Sequence, residues 1–99
     1  MKHFIVEIVY TKPIEEIMKI SPLHREYLKT GYDTGILLFS GRRTDQKGGI
    51  VVARAESERE ITEFFGKNPF GLNDAAEYKI MEFGPVLYQD WMKDWVGGK

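Results

Sequence analysis

His24 is the side chain in this sequence best suited to chemistry, because an imidazole changes its charge near physiological pH. A helix is predicted to start at Ser21, with Pro22 at its first helical position. This start places His24 in the first turn, where the partial positive charge of the helix end disfavours the imidazolium. A neutral imidazole can act as a general base. The alternative interpretation is a partly buried structural histidine that makes one hydrogen bond.

Arg42 and Arg43 form a second candidate group, since they follow an apolar run of strand length. A guanidinium donates a fork of N–H groups that fits a carboxylate. Neighbouring strand residues point to opposite faces, so we expect at least one of the two arginines to be solvated. Tyr27 and Phe70 are assigned to the wall of a pocket and not to the reaction. The sequence therefore predicts a small, carboxylate-bearing ligand.

The sequence lacks the common cofactor and metal motifs. There is no cysteine, which excludes disulfides, thiolate nucleophiles, cysteine-ligated zinc and iron–sulfur clusters. His3 and His24 lie on different predicted elements, so no metal site is expected. No phosphate-binding glycine loop, zinc-protease motif or nucleophile elbow occurs. We expect a protein without cofactor or metal.

Composition limits the partners and the location. The 99 residues are 42% hydrophobic and 29% charged, with a formal net charge of −1, which is typical of one globular domain. The near-neutral charge disfavours nucleic acid as a partner. No apolar run approaches the ~20 residues of a membrane span, so no membrane partner is expected. The N-terminus resembles a strand and not a signal peptide, so we expect a cytoplasmic location.

The elements that must position these side chains follow the order β-α-β-β-α-β. Alternating apolar residues and turn signals predict strands at 3–10, 36–40, 50–55 and 75–83, a short helical segment after Pro13, and helices at 21–33 and 57–67. This order predicts a ferredoxin-like α+β fold, an antiparallel sheet with two helices on one face. The third strand has none of the aromatic residues that RNA-recognition domains require.

Two further surfaces suggest association. Ile5 and Val9 would expose an apolar patch on the second face of the sheet, and a homodimer joined sheet to sheet would cover it. Leu87, Trp91 and Trp95 recur every four residues, which predicts a C-terminal amphipathic helix. That helix would dock either on a partner subunit or on its own domain.

Four fragments in this order, Pro22–Leu28, Gly35–Gly41, Gly48–Ile50 and Asn68–Phe70, resemble the YciI-like (YCII-related domain) family. The resemblance covers roughly residues 1–84 and leaves 85–99 as a C-terminal extension. It implies a dimeric α/β-barrel type of ferredoxin-like fold, akin to muconolactone isomerase, with a pocket between helix and sheet.

The resemblance also implies site residues. The family histidine falls on His24, and a small polar residue after the central strand falls on Ser40. The family aspartate falls on Asn68, which cannot ionise but can still orient the ring through its amide oxygen. Asp74, a few residues further on, could take its place.

Two functions remain open on this reasoning. One is a small cofactor-free enzyme of lyase, isomerase or dehalogenase type, in which His24 transfers a proton, Ser40 and Asn68 orient it, and Arg42 or Arg43 holds a carboxylate. The other is a non-catalytic dimeric module that binds a small metabolite or a partner protein through the same pocket. A purely structural dimer is a third alternative.

Overall fold

A computed structural model describes residues 1–99 as a four-stranded antiparallel sheet with the main helices on one face. The strands lie in the order β2-β3-β1-β4, so β1 is central and pairs with both β3 and β4. The predicted ferredoxin-like α+β fold is confirmed. The elements are β1 (Lys2–Tyr10), α1 (Ile14–Asp33), β2 (Leu37–Arg42), β3 (Gly48–Ala55), α2 (Glu58–Gly66), α3 (Pro69–Leu72), β4 (Ala76–Phe83) and α4 (Lys93–Val96).

The α1 helix is one continuous helix of 20 residues, and the prediction of two segments was wrong. Pro22 lies inside it, although a proline lacks the N–H that would bond one turn back. Packing decides the outcome, because the buried positions Ile17, Ser21, Leu28 and Gly31 fall on both sides of the proline. A break in the helix at Ser21 would separate the buried residues before Pro22 from those after it, so that the two groups could not pack together against the sheet. Ser21 is therefore a buried mid-helix residue and not an N-cap.

The segment after α2 is the second difference from the sequence prediction. Asn68 does end the preceding helix, but it also caps a further one-turn helix, α3, by accepting a hydrogen bond from the Phe70 N–H. Pro69 occupies the first helical position, where its missing N–H costs nothing. The Asn-Pro pair is a helix-start signal as well as a stop. This turn brings Asn68 and Phe70 to the side of α1.

The sheet buries one face against the helices. Phe4, Val6 and Ile8 of β1 point into the core, together with Val51 and Ala53 of β3. The opposite face is covered within the chain only at one end, where Trp95 lies against His3 and Arg54. Its exposed apolar residues are Phe39, Ile50, Met81 and Phe83. These four residues form the open sheet face.

The C-terminal extension is folded back on its own domain, but only through its last turns. The Trp95 indole N–H donates to the Gly35 carbonyl at 2.9 Å, and Arg54 donates to the carbonyls of Gly35 and Trp95. Helix is limited to a 3₁₀ turn, Asp90–Met92, and to α4. Leu87 and Trp91 are exposed, so the three-residue stripe does not form one packed helix face as predicted. No helix of the protein is long and apolar enough to cross a membrane.

Candidate functional site

A cavity of about 270 Å³ lies between α1 and the helix-covered side of strands β1, β2 and β3. This volume is close to the lower end of ligand pockets, ~300 Å³, so it suits a molecule of one ring or a few carbons. The polar side chains in its wall are Tyr10, Ser21, His24, Arg25, Ser40 and Arg42. Ile8, Leu28 and Val51 supply the apolar part, and no acidic side chain lines it.

His24 is held from two directions by the α3 segment. Its Nδ1 lies 2.9 Å from Oδ1 of Asn68, a residue 44 positions away in the chain. The Phe70 ring stacks on the imidazole with the ring centroids 4.1 Å apart and the planes 25° apart. The hydrogen bond with Asn68 sets the direction in which Nδ1 points. The stacking on Phe70 sets the orientation of the plane of the imidazole ring. One short segment, Asn68–Phe70, therefore orients the candidate base.

Asn68 also decides which imidazole nitrogen carries the proton. Its Oδ1 accepts from the Phe70 backbone N–H at 2.9 Å, and because an N–H can only donate, this atom must be the amide oxygen. The same oxygen faces His24, so Nδ1 must be the donor of that hydrogen bond. The lone pair is then on Nε2, which has no protein partner. His24 presents a basic nitrogen from the wall of the cavity.

The pKa of His24 is lowered, chiefly because burial disfavours the charged ring. The hydrogen bond with Asn68 acts in the opposite direction, and the nearby charges of Arg25 and Arg42 lower the pKa further. The lowered pKa has the direction that the sequence predicts, but its main cause is burial and not the partial charge of a helix end. His24 lies in the middle of α1, well away from the helix N-terminus.

The two arginines after the apolar strand have different surroundings. Arg42 lines the cavity, and its Nη2 donates to the Ser21 hydroxyl at 3.0 Å. Arg43 points to the other face, where it pairs with Asp45 and lies 3.7 Å from the Glu7 carboxylate. The structure thus brings Arg42 to the site and keeps Arg43 away, as the alternation of side chains along a strand requires.

Of the remaining predicted site residues, only Ser40 lines the cavity, whereas Tyr27 and Phe70 do not. Ser40 lines the cavity, with its Oγ 2.6 Å from the Tyr32 hydroxyl. Tyr27 does not reach it, because its hydroxyl donates to the Phe64 carbonyl on the α2 side of α1. Phe70 is buried behind His24 and contributes only through stacking.

Two other expectations concern carboxylates and metals. Asp74 does not replace the family aspartate, because Asn68 already occupies the position beside His24. The Asp74 carbonyl instead accepts a hydrogen bond from Thr11. The His, Asp and Glu side chains form no group of three or more that could hold a metal ion.

Sequence reasoning missed Arg25 and Ser21 as cavity residues. A helix of 3.6 residues per turn places Ser21, Arg25 and Leu28 along one side. The signal was present in the spacing, but the predicted helix start at Ser21 concealed it. Gly49 was also missed, although its lack of a side chain leaves space on the sheet side of the cavity.

Comparisons with known proteins show both a family and a fold. The profile of the family described as YCII-related domain matches residues 1–84. A similar solved structure is 5-chloro-2-hydroxyhydroquinone dehydrochlorinase from Burkholderia phenoliruptrix AC1100 in complex with 2,5-dihydroxybenzoquinone. The two are 17% identical, with a TM-score of 0.69, and the match covers 84% of this chain and 93% of that chain. No curated protein sequence matches this chain.

Proposed function

This chain belongs to the YCII-related domain family, and from that membership and the geometry around His24 we propose that it is a small-molecule enzyme that works by proton transfer. The observation that carries the proposal is the hydrogen bond between His24 Nδ1 and Asn68 Oδ1, which leaves Nε2 unprotonated at the cavity. Nε2 removes a proton from a bound organic acid, and Arg42 binds a carboxylate or a developing oxyanion through its free N–H groups.

Two reaction types fit this arrangement. In an isomerisation, Nε2 takes a proton from one carbon and returns it to another. In an elimination, the electron pair of the broken C–H bond forms a C=C bond, and a leaving group departs with its own electron pair. The structurally similar dehydrochlorinase is named for an elimination, which makes this type the first to test. A one-ring substrate also suits the cavity of about 270 Å³.

A non-catalytic binding module is the alternative, and Asn68 is the observation that favours it. An amide cannot gain negative charge, so it does not stabilise a protonated His24 as a carboxylate would. In that case the same cavity would bind a small metabolite or part of a partner protein without turnover.

We also propose that the protein forms a homodimer through its open sheet face. Four large apolar side chains on this face are exposed in the single chain, and Met81 and Phe39 are 65% and 57% accessible. Contiguous apolar patches on soluble domains usually mark association surfaces. A second copy presenting the same face would cover both.

Turnover assays test the enzymatic proposal against chlorinated hydroxyhydroquinones, lactones, small oxoacids and phenolic acids. We expect kcat/KM on at least one of them to fall by about a hundredfold or more in His24→Gln. His3→Gln is the matched control, because His3 lies on β1 under Trp95 and away from the cavity, and it should keep the wild-type rate. The rate should rise with pH and reach half of its maximum below pH 6.5, because burial lowers the pKa of the base.

Two results would decide against this function. Equal turnover by His24→Gln and wild type would remove His24 from the reaction. Ligand binding without turnover of any of these compounds would favour the binding module.

A further inference from the structure

Two guanidinium groups at the cavity have no carboxylate partner. Arg42 donates only to the neutral hydroxyl of Ser21, and Arg25 makes no ion pair with any acidic side chain. The other surface arginines are paired, Arg43 with Asp45 and Arg59 with Glu63. The cavity is thus the one place where two arginine charges stand together without compensation.

The wall of the cavity offers nothing to balance these charges. Its other polar side chains are hydroxyls and the imidazole, which are neutral near pH 7. Both guanidiniums act on His24, since the charges of Arg25 and Arg42 disfavour its protonation. Their positive field therefore extends over the space in which the ligand would lie. A ligand that carries negative charge is therefore favoured in this space.

We infer that the cavity binds a small organic dianion with two separate acidic groups, one held by Arg42 and the other by Arg25. This inference rests on the proposed function and names its substrate class, because it adds a second acidic group, held by Arg25, to the one proposed for Arg42. The apolar part of the wall, Ile8, Leu28 and Val51, then contacts the ring or short carbon chain between the two groups.

A ligand with one doubly charged group, such as a phosphate ester, fits the site less well. Phosphate sites in proteins usually use backbone N–H groups at a helix N-terminus. Here α1 passes the cavity with its middle turns, where the backbone N–H groups are already bonded.

Isothermal titration with benzoate, the three benzenedicarboxylates and phenyl phosphate tests the inference on the full chain. At least one dicarboxylate should bind about tenfold or more tightly than benzoate, a difference of ~1.4 kcal/mol. Arg25→Gln should remove this advantage while leaving benzoate affinity almost unchanged. Lys29→Gln is the matched control, because it removes a positive charge one turn further along α1, from a residue paired with Glu26 outside the cavity.

The inference is overturned by any of four results. These are equal binding of benzoate and all dicarboxylates, no binding of any dicarboxylate up to millimolar concentration, a loss in Lys29→Gln as large as in Arg25→Gln, or a preference for phenyl phosphate. Circular dichroism checks that each variant is folded.

The ligand-binding experiment and the turnover assays can fail independently of each other. Dianion selectivity that depends on Arg25, without turnover by wild type, would support the ligand class and refute the enzyme. Turnover that depends on His24, without selectivity for dianions, would support the enzyme and refute the ligand class.

Discussion

Asn68 orients the His24 ring although it does not line the cavity. It is fully buried, and its single oxygen accepts both from the Phe70 N–H and from His24 Nδ1. Its Nδ2 has no hydrogen-bond partner, so an oxygen in that place would lose no bond. The amide thus does the orienting work of a carboxylate without its charge. The pKa of His24 is lowered by burial and by the charges of Arg25 and Arg42, while the hydrogen bond with Asn68 raises it.

Asn68→Asp should therefore raise the pKa of His24, because a carboxylate beside Nδ1–H stabilises the imidazolium. We expect an increase of about one pH unit or more from a wild-type value below 6.5. Titration of the histidine resonances by NMR measures it, and the pKa of His3 serves as an internal control. An unchanged or lower pKa for His24 would show that the carboxylate does not face the ring. The pH at which the reaction rate is half of its maximum should increase by the same amount.

The position of α1 against β2 and α2 sets the width of the site, and Gly31 fixes that position. A Cβ at Gly31 would lie 2.7 Å from the Leu37 side chain and 2.8 Å from the Phe64 ring. The helix can approach β2 only because this residue has no side chain. The same helix carries His24 and Arg25, while β2 carries Arg42, so the approach at Gly31 sets the distance between the two walls.

Gly31→Ala should destabilise the protein by about 1–3 kcal/mol through overpacking. Urea unfolding measures the change. Gly66→Ala is the matched control, since a Cβ there meets no atom within 4 Å, and it should be neutral or stabilising by up to ~1 kcal/mol. Equal effects of the two substitutions would mean that the close packing at Gly31 is not what limits the helix position.

At the scale of the whole molecule, the sheet has one covered face and one uncovered face. The extension beyond residue 84 covers only one end of the uncovered face, where Trp95 lies 5.5 Å from the His3 ring. Leu87 remains 92% exposed. The chain by itself therefore leaves a broad apolar area in water, which is the basis of the proposed homodimer.

Met81→Lys should convert the homodimer to monomer, because it places a charge among the apolar side chains of the open sheet face, opposite Ile5 of β1. Sedimentation velocity measures the change over a range of concentrations. Leu23→Lys is the matched control, since Leu23 is similarly exposed (61%) but lies on α1, on the opposite side of the sheet, and should leave the association unchanged. A wild-type chain that sediments as a monomer at all concentrations would refute the dimer.

The sequence alone determined the order of the elements and the fold class. The alternation along β1 and β4, the capping residues of α2 and the polar turn residues between β2 and β3 each involve only a few neighbouring residues, so they can be recognised locally. His24 and Arg42 could be chosen because their residue types and their places relative to strands and helices are local properties too, whereas Ser40 came from the resemblance to the family.

Only the tertiary structure decided how these parts meet. Packing against the sheet carried α1 through Pro22, which moved His24 from a helix start to the middle of a helix. The contact between His24 and Asn68 joins residues 44 positions apart, and no local pattern specifies it. Side-chain direction brought Arg25 to the cavity and took Arg43 and Tyr27 away from it. These arrangements depend on the burial of whole faces of helices and sheets. The free energy of that burial is gained only when the chain folds.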